Sequence, residues 1–156
     1  MKFEVRPGAV NTVVTDAVVI AVFEGDGGLA GAAAELDAAL GGIIKDLINS
    51  GEVKGKLNEI HVMHTLGKMP ARLALVAGMG KQAEWDTDKL RDVAGEAVRA
   101  LRRHRARSAA FALPAGGERI PGRDDFSRAM AEGCLLGAYQ YKRHMTKDEN
   151  LSLIHI

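Results

Sequence analysis

The run Leu73 to Ala77 (LALVA) constrains this chain more than any other segment. It is apolar at both odd and even positions, so a strand there must be covered on both faces, as in the middle of an α/β sheet. A Gly/Pro turn precedes it (Leu66 to Pro70), which places the strand at Arg72 to Ala77. Gly78 and Gly80, closed by Lys81, permit a sharp exit where side chains would clash.

Other elements arrange themselves around that strand. Lys2 to Arg6 alternates and reads as a first strand, ended by Pro7-Gly8. Ala17 to Phe23 (AVVIAVF) is a second, fully buried strand, and Glu24 to Gly28 is a turn. From Ala32 the period becomes helical, with Leu36, Leu40, Ile44 and Leu47 near one face. Gly41-Gly42 interrupts the pattern at about 1 kcal/mol per glycine relative to alanine, so a kink or two short helices are expected there. Ser50-Gly51 stops the helix, and Gly51 to Gly55 reads as a polar turn. Glu59 to Thr65 is the third strand. Asp86 or Thr87 caps a helix whose stripe is Leu90, Val93, Ala94, Ala97, Val98 and Leu101. Ser108 to Leu113 is a fifth strand, Ala115 to Gly122 a loop, and Asp124 or Asp125 caps a last helix to about Tyr141. Strands followed by alternating strands and helices specify a three-layer α/β domain with a mixed sheet.

Composition narrows the function classes. The 156 residues make one domain; 21 basic and 20 acidic residues nearly cancel, so no bulk charge draws the chain to nucleic acid or membrane. A single cysteine, Cys134, precludes an internal disulfide and fits a reducing compartment. No secretory h-region or membrane-length apolar run is present, and a cytoplasmic location is expected.

Each candidate for chemistry has a plainer explanation. Gly78-Met79-Gly80 with Ala83 fits a weak dinucleotide fingerprint, but the helix signal starts only near Thr87, and a turn requiring small residues is preferred. A P-loop fails because Gln82 follows Gly80-Lys81. His61 and His64 are three apart, which on a strand places them on opposite sides, unsuited to sharing one metal. His104 and His144 sit among basic residues and read as solvent-facing. Arg99, Arg102, Arg103, Arg105 and Arg107 form a cluster that reads first as a solvated helix C-terminus and second as a phosphate or nucleic-acid patch. Cys134 lies among Gly133, Leu135 and Leu136 and reads as a small core residue. No catalytic, cofactor-binding or metal-binding residue is assigned.

Several segments together resemble one family. The stretch LGKMPARLALVAGMGK (Leu66 to Lys81) is similar to a loop and buried strand in the N-terminal domain of leucyl aminopeptidases, the M17 metallopeptidases. AAELDAALGG (Ala33 to Gly42), GEVKGK (Gly51 to Lys56) and EGCLLGAYQY (Glu132 to Tyr141) match further segments of that domain in order and spacing. The resemblance implies a macro-domain-like fold with a mixed, mostly parallel sheet flanked by helices. It also implies a hexameric parent enzyme that removes N-terminal residues from peptides with two zinc or manganese ions, held by a C-terminal catalytic domain that is absent here. None of the family's functional residues can be carried onto this chain, which the resemblance makes inert alone.

The expected division is a non-catalytic domain at 1–142, the start of a linker at 143–150, and a non-native tail at 151–156. The tail LSLIHI can be back-translated to CTG TCT CTT ATA CAC ATC, a transposon end used in sequencing-library preparation. Two alternatives stand beside the accessory-domain reading. One is a free-standing macro-like module binding ADP-ribose or another nucleotide around Gly78 to Gly80. The other is a DNA-binding accessory role through the Arg99–Arg107 cluster.

Overall fold

The computed structural model describes residues 1–5, 8–25, 29–112, 123–139 and 153–155. Chain order is β1 (Lys2–Glu4), β2 (Ala17–Val22), α1 (Ala32–Leu40), α2 (Ile43–Asn49), β3 (Ile60–His64) and β4 (Leu73–Gly78), then α3 (Thr87–Arg103), β5 (Ser108–Phe111), α4 (Arg123–Ala138) and β6 (Leu153–His155). The strands form one six-stranded sheet in the order β1-β6-β5-β2-β4-β3. The β3–β4 pair is antiparallel and the other pairs are parallel.

The two-sided apolar strands explain the three layers. Every residue of β4 is buried. Along β2, Val18, Ile20 and Val22 face a core with Leu36, Leu40 and Ile44 of α1 and α2. Ala17 and Val19 face the opposite core, which holds Leu90, Val93 and Val98 of α3 and Phe126 and Met130 of α4. A residue such as Leu75, fully buried, contributes about 2–5 kcal/mol relative to alanine.

Gly41-Gly42 does end one helix and start another. Both glycines are left-handed, at φ 84° and 86°, a conformation glycine adopts without steric cost. Buried Asp37 caps the second helix, accepting from the amides of Ile44 (2.8 Å) and Lys45 (3.1 Å). Lys68 Nζ donates to Leu40 O at 2.6 Å, placing a cation at the C-terminal end of α1, where the macrodipole favours it. Asp86 caps α3 through the Lys89 amide at 2.8 Å.

Some boundaries differ from expectation. The helix α4 begins at Arg123, so Asp124 and Asp125 lie within it and not before it. It ends at Ala138, short of Tyr141. The segment Gly51 to Gly55 is not simply a polar turn, since Val53 and Gly55 are buried. Leu153–His155 forms β6. Leu113, the loop Ala115 to Gly122, His144 and the linker 143–150 lie outside the described residues.

Small residues set the α3–α4 contact. A Cβ on Gly133 would sit 2.4 Å from Arg91 O, and one on Gly137 2.5 Å from Gly95 O. The helices therefore approach backbone to backbone, which a side chain at either position would prevent.

Candidate functional site

The glycine loop after β4 is the first place to look for a ligand, because ligands of open α/β sheets bind outside the carboxyl ends of the strands. An anion cradle there needs backbone N–H groups free to point at the ligand. Three successive amides are already engaged. Gly78 N donates to Glu59 O at 2.7 Å, Met79 N to Val22 O at 2.9 Å and Gly80 N to Gly55 O at 2.9 Å. The Gly78 and Gly80 carbonyls accept in turn from Asn58 N (3.1 Å) and Glu24 N (2.9 Å). The loop is thus a crossing that laces together the ends of β2 and β4 and the approach to β3.

The glycines are explained by that crossing. A Cβ on Gly78 would meet Lys56 O at 2.0 Å, and one on Gly55, at φ +71°, would meet Phe23 O at 2.5 Å. Lys81 is 3.6 Å from Glu84 on the solvent side. Glu59 holds the segment before β3 by accepting from Lys54 N (2.9 Å) and Lys56 N (3.1 Å). Its partial burial pushes the carboxyl pKa up, but those two amides and His61 together bring it below the ordinary carboxylate value.

Next to the crossing lies a cavity of about 240 Å³, lined by Val22, Phe23, Ile48, Val53 and Lys54 among others. It falls just below the range usual for small-molecule sites, and among the described residues its lining offers one charged side chain, Lys54.

The histidines do not converge. His61 Nε2 lies 3.4 Å from Glu59 Oε1, whereas His64 is exposed at the other end of β3, opposite Leu73 in register. Among the described residues no three His, Cys, Asp or Glu side chains come together to hold a metal ion. Cys134 is fully buried, and burial alone pushes its thiol up to about 12. A thiol so poorly ionised is no nucleophile at neutral pH.

Much of the arginine cluster serves the structure. Arg99 pairs with Glu96 at 2.6 Å, and this contact, ahead of the opposing desolvation, holds the Glu96 carboxyl low. Arg102 Nη1 donates to Ala138 O at 3.4 Å, at the end of α4. Arg72, outside the cluster, donates to the His104 and Arg105 carbonyls at 3.0 Å each, closing the end of α3. The amide of Arg107 donates to Asp16 Oδ2 at 2.6 Å. Arg103, His104 and Arg105 are exposed. The sequence did not reveal the structural roles of Asp37, Asp16 and Arg72, because their partners are distant in the chain or hidden inside an apparent helix.

No helix among the described residues is long and apolar enough to cross a membrane.

Comparison with known proteins adds to this geometry. Residues 19–148 match the family described as "Cytosol aminopeptidase family, N-terminal domain". A probable cytosol aminopeptidase of Geobacter sp. (strain M21) is 39% identical over 135 residues, covering 86% of this chain and 26% of the relative. One from Thermosynechococcus vestitus is 31% identical over 156 residues, covering 99% of this chain and 31% of the relative. The chain thus spans about a quarter to a third of the length of the curated relatives it matches. Among solved structures, a tomato leucine aminopeptidase variant superimposes with a TM-score of 0.81 at 20% identity, over 99% of this chain and 32% of that one. The macrodomain of Mycobacterium tuberculosis DarG superimposes with a TM-score of 0.70 at 15% identity, over 99% and 97% of the two chains. At such identities the two structures speak to the fold, which is macro-domain-like.

Proposed function

We propose that this chain, which belongs to the cytosol aminopeptidase family and corresponds to its N-terminal domain, is the non-catalytic accessory domain of a metal-dependent aminopeptidase. The observation that carries the reading is the match to the N-terminal domain specifically, within relatives several times longer than the chain. Peptide hydrolysis then belongs to the part of those relatives that this chain does not span. Two zinc or manganese ions would be held there, and none of the described residues is assigned to them. Hydrolysis assisted by metals requires ligands that converge on an ion, and the scattered histidines and carboxylates described above do not fit that requirement. The parent is a cytoplasmic homohexamer with these domains at its periphery, and peptide reaches the protein only through the catalytic part. Residues 143–150 begin the linker to it.

The test is an assay of the purified 156-residue chain on leucine p-nitroanilide with zinc or manganese added. No turnover above buffer is expected. Hydrolysis that a chelator abolishes would overturn the accessory role.

A second reading, a nucleotide-binding module, draws on the macro-like fold and on the cavity beside Phe23 and Val53. The engaged amides of Gly78, Met79 and Gly80 weigh against a pyrophosphate cradle at that loop. Calorimetric titration with ADP-ribose is expected to show no binding, and saturable heat would bring this reading forward. The DNA-binding reading is weaker still, because Arg99 and Arg102 already have partners within the domain.

A further inference from the structure

The cavity beside the end of β2 combines an apolar wall with a short polar rim. Val22 and Phe23, at and just after the end of β2, line it together with Ile48 of α2 and with Val53. Val22, Phe23 and Val53 are buried. The rim is Lys54-Gly55, in the segment that runs from α2 to β3. At about 240 Å³ the cavity suits a body of a few carbon atoms, since drug-sized sites begin at about 300 Å³.

The hydrogen bonds of the rim leave one donor over. Val53 N donates to Leu47 O at 3.0 Å, and Lys54 N and Lys56 N donate to Glu59 Oε2 at 2.9 and 3.1 Å. The Gly55 carbonyl accepts from Gly80 N at 2.9 Å, but among the described residues the Gly55 amide has no partner. Gly55 is a buried residue, and a buried N–H without an acceptor is rare and costs about as much as a lost hydrogen bond. The Lys54 side chain on the same rim is exposed. Its charge favours an anionic acceptor, because charge-assisted hydrogen bonds are roughly twice as strong as neutral ones. Glu24 and Glu52 are exposed and do not line the cavity. One lysine facing these two acids suits a single negative charge and not a diphosphate.

We infer that this cavity is a binding site for a short aliphatic monocarboxylate. The Gly55 amide and Lys54 Nζ hold the carboxylate, and Val22, Phe23, Ile48 and Val53 enclose the chain. The inference does not depend on the accessory-domain reading, and it differs from the nucleotide reading in both the size and the charge of the ligand. A free amino acid with an aliphatic side chain and a simple branched fatty acid share this chemistry, and the titration below separates them.

The experiment is an amide-resolved NMR titration of the whole chain with 4-methylpentanoate, with leucine and with the neutral 4-methylpentanamide. Saturable shifts at Gly55 and Val53 are expected with at least one of the two acids, at a dissociation constant on the order of 1 mM for so small a ligand. The neutral amide is expected to bind about tenfold more weakly than the acid. Lys54→Met, a change at an exposed position, is expected to weaken the acid by about tenfold, the loss of one charged hydrogen-bond donor. Binding of leucine supports the site with free amino acids as its source, and binding of 4-methylpentanoate alone supports it with fatty acids. The inference is overturned if neither acid saturates, if the shifts map away from Gly55 and Val53, if the neutral amide binds equally well, or if Lys54→Met leaves the affinity unchanged.

Discussion

Gly78 lies directly against the Lys56 carbonyl, and a Cβ added to it would sit 2.0 Å from that oxygen. Backbone on both sides fixes the distance, so no rotamer change can relieve it. Gly78→Ala is expected to lower stability by about 3 kcal/mol or more, at the upper end of what overpacking costs. Urea unfolding at neutral pH reads this directly, and a loss below about 1 kcal/mol would contradict the crossing.

The helix pair α3–α4 offers an internal control. Gly133→Ala would place a Cβ 2.4 Å from Arg91 O, whereas one on Gly95 would have its nearest neighbour, Gly133 O, at 3.4 Å. Gly133→Ala is expected to cost roughly 1–3 kcal/mol. Gly95→Ala is expected to be close to neutral, because about 1 kcal/mol of helix propensity offsets slight crowding. Thermal unfolding of the two variants should separate them clearly, with Gly133→Ala the lower.

Asp37 is buried and caps α2 across the glycine pair. Asp37→Ala leaves the Ile44 and Lys45 amides without that acceptor and is expected to cost about 1–3 kcal/mol. Asp37→Asn keeps an acceptor oxygen and should lose clearly less. Chemical denaturation of both variants checks the order.

Glu59 makes part of the stability depend on pH. Its folded pKa lies below the ordinary carboxylate value, so its contribution is fully present above the unfolded pKa. That contribution is lost as pH falls through the folded value. Glu59→Gln should therefore flatten the decline in stability below about pH 5, near the unfolded glutamate value. The paired Glu96 and Glu132 carboxyls, also held low, contribute equally to both proteins. Unfolding free energies at pH 7 and pH 4 for the two proteins provide the check. An unchanged slope would mean that the Lys54 and Lys56 contacts do not form in solution.

Long, strongly periodic elements were legible in the sequence for a physical reason: β2, β4 and α3 each bury a surface that their own residues define. The stripe from Leu90 to Leu101 appears in the core as read. The glycine pair at 41–42 showed an interruption, but only the buried Asp37, seven residues before Ile44, explains why two helices result. At the candidate site, the sequence showed glycines at 78 and 80 but neither the Lys56 carbonyl that leaves no room for a side chain at Gly78 nor the φ of +73° at Gly80. β6 was not legible, since a strand of three residues is defined by its neighbours in the sheet and hardly by its own pattern. The family resemblance rested on the order of several ordinary motifs, and the match over residues 19–148 agrees with it.

The most direct test of the central claim is a longer read of the source DNA across the codons for Glu149 to Ile156. The accessory-domain account predicts that genomic sequence diverges from LSLIHI after the KDEN segment and continues in frame into a metal-binding catalytic domain. A genomic stop codon directly after Ile156 would contradict the account and leave a free-standing macro-like domain.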